Sequence, residues 1–347
     1  MAKRNFRKSL IESDDFAQYS LRATFFVRKL RSLTLWEAIN HVNDLTEASK
    51  GFSWRDRKTW GIEAESWDIV RRKKVNPLLI FCHPRVLSEQ PRLLLYYRTV
   101  NLISQKGLST LVGGNVTNIE AGRVESLDRT WLTKVVITLN SIASAVVKHS
   151  AEIDPQDLPG FQFATAGSTI QGSWNNAIGA AGEAAVRTIL VNHLRNEVVQ
   201  LVWRDGSMTR YDSDQHTSVL DRIDDLRVLR LKPGFHILFG SEPDVSMRDP
   251  NDVPVVAVEV KAGADPAAAL ERLGAAMKSF ENDRDLNPRV KTVYVVRCMT
   301  PELQKRINQG SFFDHTFALS DLLLDESRQK TFANLFLRVI FRKQKRS

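Results

Sequence analysis

The residues best suited to chemistry in this chain are Pro243-Asp244 and, after a gap of fourteen residues, Glu259-Val260-Lys261. On an extended strand side chains alternate, so Val256, Val258 and Val260 share one face while Val255, Ala257, Glu259 and Lys261 share the other. An acid and a base therefore project from the same side, roughly 6.6 Å apart along the strand and within reach of one small site. The run from Pro243 to Met247 reads as a second strand that turns back through Arg248 to Pro254, and a hairpin symmetrical about the Asn251-Asp252 bond sets Asp244 opposite Glu259. Facing carboxylates have Cβ atoms about 4.5–5.5 Å apart and repel unless something neutralises them. A divalent cation does so, and Mg²⁺ suits this donor set because it takes one or two carboxylates, keeps waters and accepts phosphate oxygens. Beside it, Lys261 would hold or help deprotonate an attacking water and support a phosphorane-like transition state.

Elements that can position these groups follow from the flanking pattern. QLVWR, FHILFG, PDVSM, VVAVEV and TVYVVRCM are β-branched or alternating runs of strand length. A helix is expected between the last two, from Asp265 to about Glu281, with Asp265 capping its free amides and Pro266 in the first turn. Another is expected over 174–195, where Glu183 shares a stripe with Gly179, Val186 and Leu190, and Gly179 and Gly182 would permit close backbone approach. Glu183 is then either a further acid of the site or a local partner of Arg187 four residues on. Helix, several antiparallel-capable strands, helix and strand specify an α/β fold around a mixed sheet. Residues 1 to about 150 read mainly helical, through steps such as Phe25, Val27, Leu30, Leu33, Leu35 and Ile39 and through helices near 90–108 and 129–150, while LLIFCHPRVL is a strand or a buried turn. Prolines, glycines and small polar residues at 151–173 point to a connecting loop, with a division near 165 between residues 1–165 and 166–347.

Pro243-Asp244 with Glu259-Val260-Lys261 resembles the signature of the PD-(D/E)xK nucleases. The resemblance implies an αβββαβ core behind a mainly helical N-terminal region, and Mg²⁺-dependent phosphodiester hydrolysis in double-stranded DNA. It implies Asp244, Glu259 and the Val260 backbone carbonyl as metal ligands, Lys261 positioning the water, and Glu183 as an acid from the first core helix. A narrower resemblance, carried by FCHPRVL, LLLYYRTVNLISQKG, GAAGEAAV and EVKAGADPAAALERLGAAMKSFE, is to the type II restriction endonucleases of the XcyI group. That group implies a homodimer cutting the palindrome CCCGGG, a cognate DNA methyltransferase, and a bacterial cytoplasmic location. Arg272 and Lys278 on the expected helix and Arg248 in the hairpin are the candidates for DNA contact, since arginine reads guanine through paired hydrogen bonds. A repair, recombination or mobile-element nuclease with the same core, and a DNA-binding protein without catalysis, are the other readings.

Composition agrees with a globular protein of one large or two ordinary domains: 347 residues, 43% hydrophobic, with 17 Gly and 12 Pro. The net charge of +9 favours polyanionic partners without naming one, and the basic residues gather at Lys3–Lys8, Arg71–Lys74 and Arg342–Arg346. Two cysteines, Cys82 and Cys298, exclude a disulfide framework, and the seven histidines lack ligand spacing, so zinc is not expected and a reducing compartment is. No export signal is read at the N-terminus. The longest uncharged apolar stretch, Val135–Val147, is thirteen residues, short of the roughly 20 that span a bilayer.

Overall fold

A computed structural model describes residues 15–48, 51–150, 154–240 and 242–344. The Lys3–Lys8 cluster and the end of the Arg342–Arg346 cluster lie outside the described residues. Arg22–Trp174 form one compact unit; the chain from Asn175 onward, with residues up to Leu21, forms the other.

The first unit is helical. Its elements are α1 (Asp15–Ser32, which starts before the unit does), α2 (Leu35–Glu47), α3 (Ala64–Arg72), α4 (Pro84–Glu89), α5 (Leu94–Val100), α6 (Gln105–Val112), α7 (Val116–Glu120) and α8 (Arg129–Ser150). Thr34 takes a left-handed conformation and splits the expected N-terminal periodicity into two helices; Leu35 and Ile39 are buried, whereas Val27 and Leu30 are exposed. LLIFCHPRVL is a buried turn rather than a strand. Pro77–Leu79 form a 3-10 turn, His83 caps α4, and the Asn140 amide exchanges hydrogen bonds with both the N–H and the carbonyl of Cys82. Arg98 is buried against Glu120 and donates to the Ile103 carbonyl at 2.7 Å, which satisfies a charge that would otherwise be costly in this core. By length and composition α8 is apolar enough to cross a membrane, but its Val135, Val136, Leu139, Ala143 and Val147 are core residues of this unit.

Residues 157–173, expected to lie in a connecting loop, are instead the first half of α9 (Asp157–Leu194). Pro159 falls in the first turn, where its missing N–H costs nothing. Leu158, Ala166, Ile170, Trp174 and Ile178 recur on a buried stripe, and Gly160, Gly167 and Gly172 stand where nothing approaches their missing side chains. The division by packing falls at Trp174/Asn175, inside this helix, rather than near 165.

The second unit is built on an eight-stranded sheet in the order β2-β1-β3-β4-β5-β6-β7-β8. The strands are β1 (Val198–Trp203), β2 (Met208–Arg210), β3 (Leu226–Leu231), β4 (His236–Phe239), β5 (Val245–Arg248), β6 (Pro254–Lys261), β7 (Lys291–Val296) and β8 (His315–Ala318). Pairing is antiparallel as far as β6 and parallel from β6 to β8. The parallel pairs need crossovers, supplied by α11 (Ala269–Ser279) with α12 (Glu281–Leu286), and by α13 (Pro301–Gly310); α10 (His216–Asp221), α14 (Leu319–Leu324) and α15 (Glu326–Gln344) complete the unit. Within this sheet α9, β4, β5, β6, α11 and β7 realise the αβββαβ core, with β1–β3 and β8 extending it.

Both faces of β6 are covered. Ala257 packs with Phe280 and Val290 on the α11–α12 face, and the same face carries Tyr294 against Ala269, Leu273 and Ala276. On the other face Val260 meets α9 at Gly182. A Cβ on Gly182 would collide with the Ala262 side chain and touch Val260, while one on Gly179 would meet nothing. Gly182→Ala is therefore expected to destabilise the protein by about 1–3 kcal/mol through overpacking, against a helix-propensity gain of at most about 1 kcal/mol. Gly179→Ala has only that gain. Urea midpoints that fall for the first and hold or rise for the second are the expected result; equal shifts would mean that α9 does not approach β6 through Gly182.

Candidate active site

The β5–β6 register pairs Val245 with Val258, Ser246 with Ala257 and Met247 with Val256, which continues to Asp244 opposite Glu259 as the hairpin symmetry expects. The only irregularity lies at the turn end, between Met247 and Arg248. There the Asp249 carboxylate accepts the N–H groups of Asn251 (2.9 Å) and Val253 (3.1 Å), and Asp252 takes a left-handed conformation. Turn chemistry thus fixes the register that brings the two acids together.

At the open end of the hairpin the strands are joined through these acids. The Asp244 N–H donates to Glu259 Oε2 at 3.3 Å, and the Val260 N–H donates to Asp244 Oδ2 at 2.8 Å. Lys261 Nζ donates to Glu259 Oε1; its side chain is 24% exposed and that of Glu259 4%. The shared facing read from alternation is thus present as a direct ion pair. Gly240, at φ +81°, makes the turn that delivers Asp244: its N–H donates to the Asp244 carbonyl at 3.1 Å, and a side chain there would strike the Arg227 guanidinium.

Burial first, then the charges of Glu259 and, less strongly, Glu183, push the Asp244 carboxyl up from 3.8 to about 7, while the Val260 amide and Lys261 pull it down. A carboxyl pushed up by burial and by neighbouring carboxylates marks a place where positive charge is wanted. Glu183 is paired with Arg187 Nη2 at 2.9 Å, the local partner that the helical spacing offered, and its charge adds to the upward push on Asp244. Among the described residues no three His, Cys, Asp or Glu side chains gather closely enough to enclose an ion. Asp244 and Glu259 offer oxygen donors only, which fits a hard cation that keeps most of its waters and does not fit a protein-enclosed one.

The burial of two groups near the acids was not legible in the pattern. Tyr294, in register with Glu259 across the parallel β6–β7 pair, has no exposed surface, and its hydroxyl has no hydrogen-bond partner among the described residues; burial pushes its pKa up to about 12. Arg187, 7% exposed, lies beneath Phe239 with its guanidinium carbon 5.5 Å from the ring centre. A tyrosine inside TVYVV and an arginine at helical spacing look like ordinary core and surface residues until their neighbours are known.

The three basic residues expected to reach DNA are placed differently from one another. Arg248 turns inward, 3.6 Å from the buried Asp283 and 3.4 Å from Asp252, and its Nε is buried. Arg272 donates to the carbonyl of Asp265, which caps the 3-10 turn Pro266–Ala268 before α11 rather than α11 itself, and lies against Gly263. Only Lys278 is exposed. Arg248 and Arg272 thus have structural work in this state, because the partners that hold them come from distant or preceding residues.

Comparison with known proteins places this geometry in context. The family model described as XcyI restriction endonuclease matches residues 72–334, which include α9, the hairpin and α11. The type II restriction enzyme Cfr9I of Citrobacter freundii is 24% identical over 262 residues, covering 72% of this chain and 73% of that enzyme.

Proposed function

The chain belongs to the XcyI restriction endonuclease family and is a site-specific endonuclease; from that premise we propose that it cuts double-stranded DNA at a short palindrome, with Mg²⁺ as cofactor and CCCGGG as the first sequence to test. The observation that supports this most is the meeting of Asp244, Glu259 and Lys261 at the open end of one hairpin.

Asp244 and Glu259 would hold the cation, with the Val260 carbonyl and Glu183 as further oxygen donors. A bound Mg²⁺ would neutralise charge developing on the scissile phosphate. Lys261 now satisfies Glu259, and its partly exposed side chain can turn from that carboxylate to the water that attacks phosphorus. Its ammonium would orient the water and offset negative charge in the transition state. The backbone amides of Asp244 and Val260 keep both carboxylates aimed while this exchange takes place. Arg248, Arg272 and Lys278 remain candidates for DNA contact, with Lys278 free to reach a phosphate without breaking an internal bond.

A palindromic target matches a two-fold protein that presents one catalytic centre to each strand, so the active form is proposed to be a homodimer, acting in the cytoplasm beside a methyltransferase that protects the host's own sites. Digestion of a sequenced plasmid with purified protein tests the reading. Discrete fragments that need Mg²⁺, end at CCCGGG and vanish with Asp244→Ala are expected. Discrete fragments ending elsewhere would replace the proposed site, and random nicking would favour a repair or mobile-element nuclease.

A further inference from the structure

We infer that Arg187 is the positioning residue of the proposed metal site, holding the Glu183 carboxylate ready beside Asp244; the inference rests on the nuclease reading above. One turn beyond Glu183 on α9, Arg187 Nη2 donates to the Glu183 carboxylate at 2.9 Å, with the two side chains 8% and 30% exposed. Its Nη1 reaches the Asp224 carbonyl at 3.4 Å, and the Phe239 ring covers the guanidinium. Gly240 lies against it as well: a Cβ there would stand 3.6 Å from Nη2. Helix α9, the turn before β3 and the end of β4 therefore clamp one arginine in one orientation, and its planar fork transmits that orientation to Glu183.

An exposed pair at this helical spacing would be worth only a few tenths of a kcal/mol and would not need a buried arginine. Here the pair adjoins the site: Gly182, the neighbour of Glu183, packs against Val260 and Ala262, and Gly240, which lies against Arg187, donates its N–H to the Asp244 carbonyl. Without Arg187, Glu183 would lose its ion-pair partner and would swing toward water, which its partial exposure permits. The Arg187 Nε donor, buried and without a partner among the described residues, leaves the guanidinium able to follow the carboxylate if it shifts to a cation.

The sign of the effect separates positioning from simple charge. If Arg187 acted only as a nearby positive charge, removing it would tighten metal binding. If it positions Glu183, removing it weakens binding, by the 10–100-fold typical of residues that orient metal ligands. The test is calorimetric titration of Mg²⁺ into the full chain and its Arg187→Gln, Arg187→Lys, Glu183→Gln and Glu183→Gln/Arg187→Gln variants, with thermal melts to verify folding. The expected result is a Kd raised about 10–100-fold by Arg187→Gln, a smaller rise with Arg187→Lys, and a double variant no weaker than Glu183→Gln alone. A folded Arg187→Gln protein with an unchanged or lower Kd would overturn the inference. If Arg187→Gln does not fold, Arg187→Lys decides, with Glu183→Gln/Arg187→Lys made beside it: a several-fold rise that disappears in that double variant relative to Glu183→Gln supports the inference, and the parental Kd refutes it. Asp244→Ala serves as the separate control, since parent protein whose Mg²⁺ binding does not depend on Asp244 would overturn the nuclease reading itself and this inference with it.

Discussion

Lys261→Ala is expected to lower DNA cleavage by about 10²–10⁴-fold at saturating Mg²⁺, the range for losing a group that moves a proton or stabilises developing charge in the transition state. Binding of duplex DNA should survive, because Lys261 is one of 49 basic residues and its ammonium faces Glu259 rather than the surface. The variant also leaves Glu259, with a side chain 4% exposed, without its cation. In EDTA this should show as lost stability, since a buried carboxylate deprived of its partner keeps its desolvation cost. Mg²⁺ should restore much of it if Glu259 is a ligand. Lys261→Arg keeps charge but replaces a compact ammonium by a planar fork, and is expected to rescue the stability in EDTA without rescuing cleavage. Gel-shift, melting and cleavage assays on the three proteins check these outcomes together; cleavage within threefold of the parent for Lys261→Ala would remove Lys261 from the chemistry.

How much of this was legible in the sequence depended on whether the determinants were local. The hairpin was legible because alternation in VVAVEVK sets facing and the Asp249–Asp252 turn sets register within one short segment. The Asp265 cap was legible for the same reason: the Asp265 carboxylate accepts the Ala267 N–H at 3.0 Å, two residues away. Residues 157–173 were misread because glycine and proline mark breaks only when they fall inside an element, and here they sit in a first turn and on open helix positions. Strand β3, Leu-Arg-Val-Leu-Arg-Leu, escapes a period-two reading because Arg227 and Arg230 interrupt it; Arg227 is accommodated by the carbonyls of Phe239 and Gly240 on the neighbouring strand and its turn. Arg248 was illegible in kind: Asp283, 35 residues away on helix α12, decides that its guanidinium points inward. The proposed chemistry follows the same division, since the acids and the lysine sit on one local motif whereas base recognition depends on surfaces built from many segments.

Asp244→Asn is expected to make the metal-free protein more stable than the parent above pH 7, and no more stable near pH 4. In the folded parent Asp244 titrates at about 7 against an ordinary 3.8, so between those values the folded state holds a proton that the unfolded state has released. Stability therefore falls as pH rises through this window and stays lowered above it, the reverse of a salt-bridged carboxylate. About three pKa units correspond to roughly 4 kcal/mol as an upper bound, and the partial exposure of Asp244 together with the countering Lys261 reduces the expected gain to about 1–3 kcal/mol. Asparagine keeps an oxygen to accept the Val260 N–H and removes the charge that Glu259 opposes. Urea denaturation in EDTA from pH 4 to 8.5 should show the two proteins converging in acid and the variant ahead in base. Added Mg²⁺ should reverse the order at high pH, because an ion bound only by the folded parent stabilises that state by mass action. A parent that is the more stable protein at pH 8 in EDTA would mean that Asp244 carries its charge at no cost there, and that its carboxylate is not held in readiness for a cation.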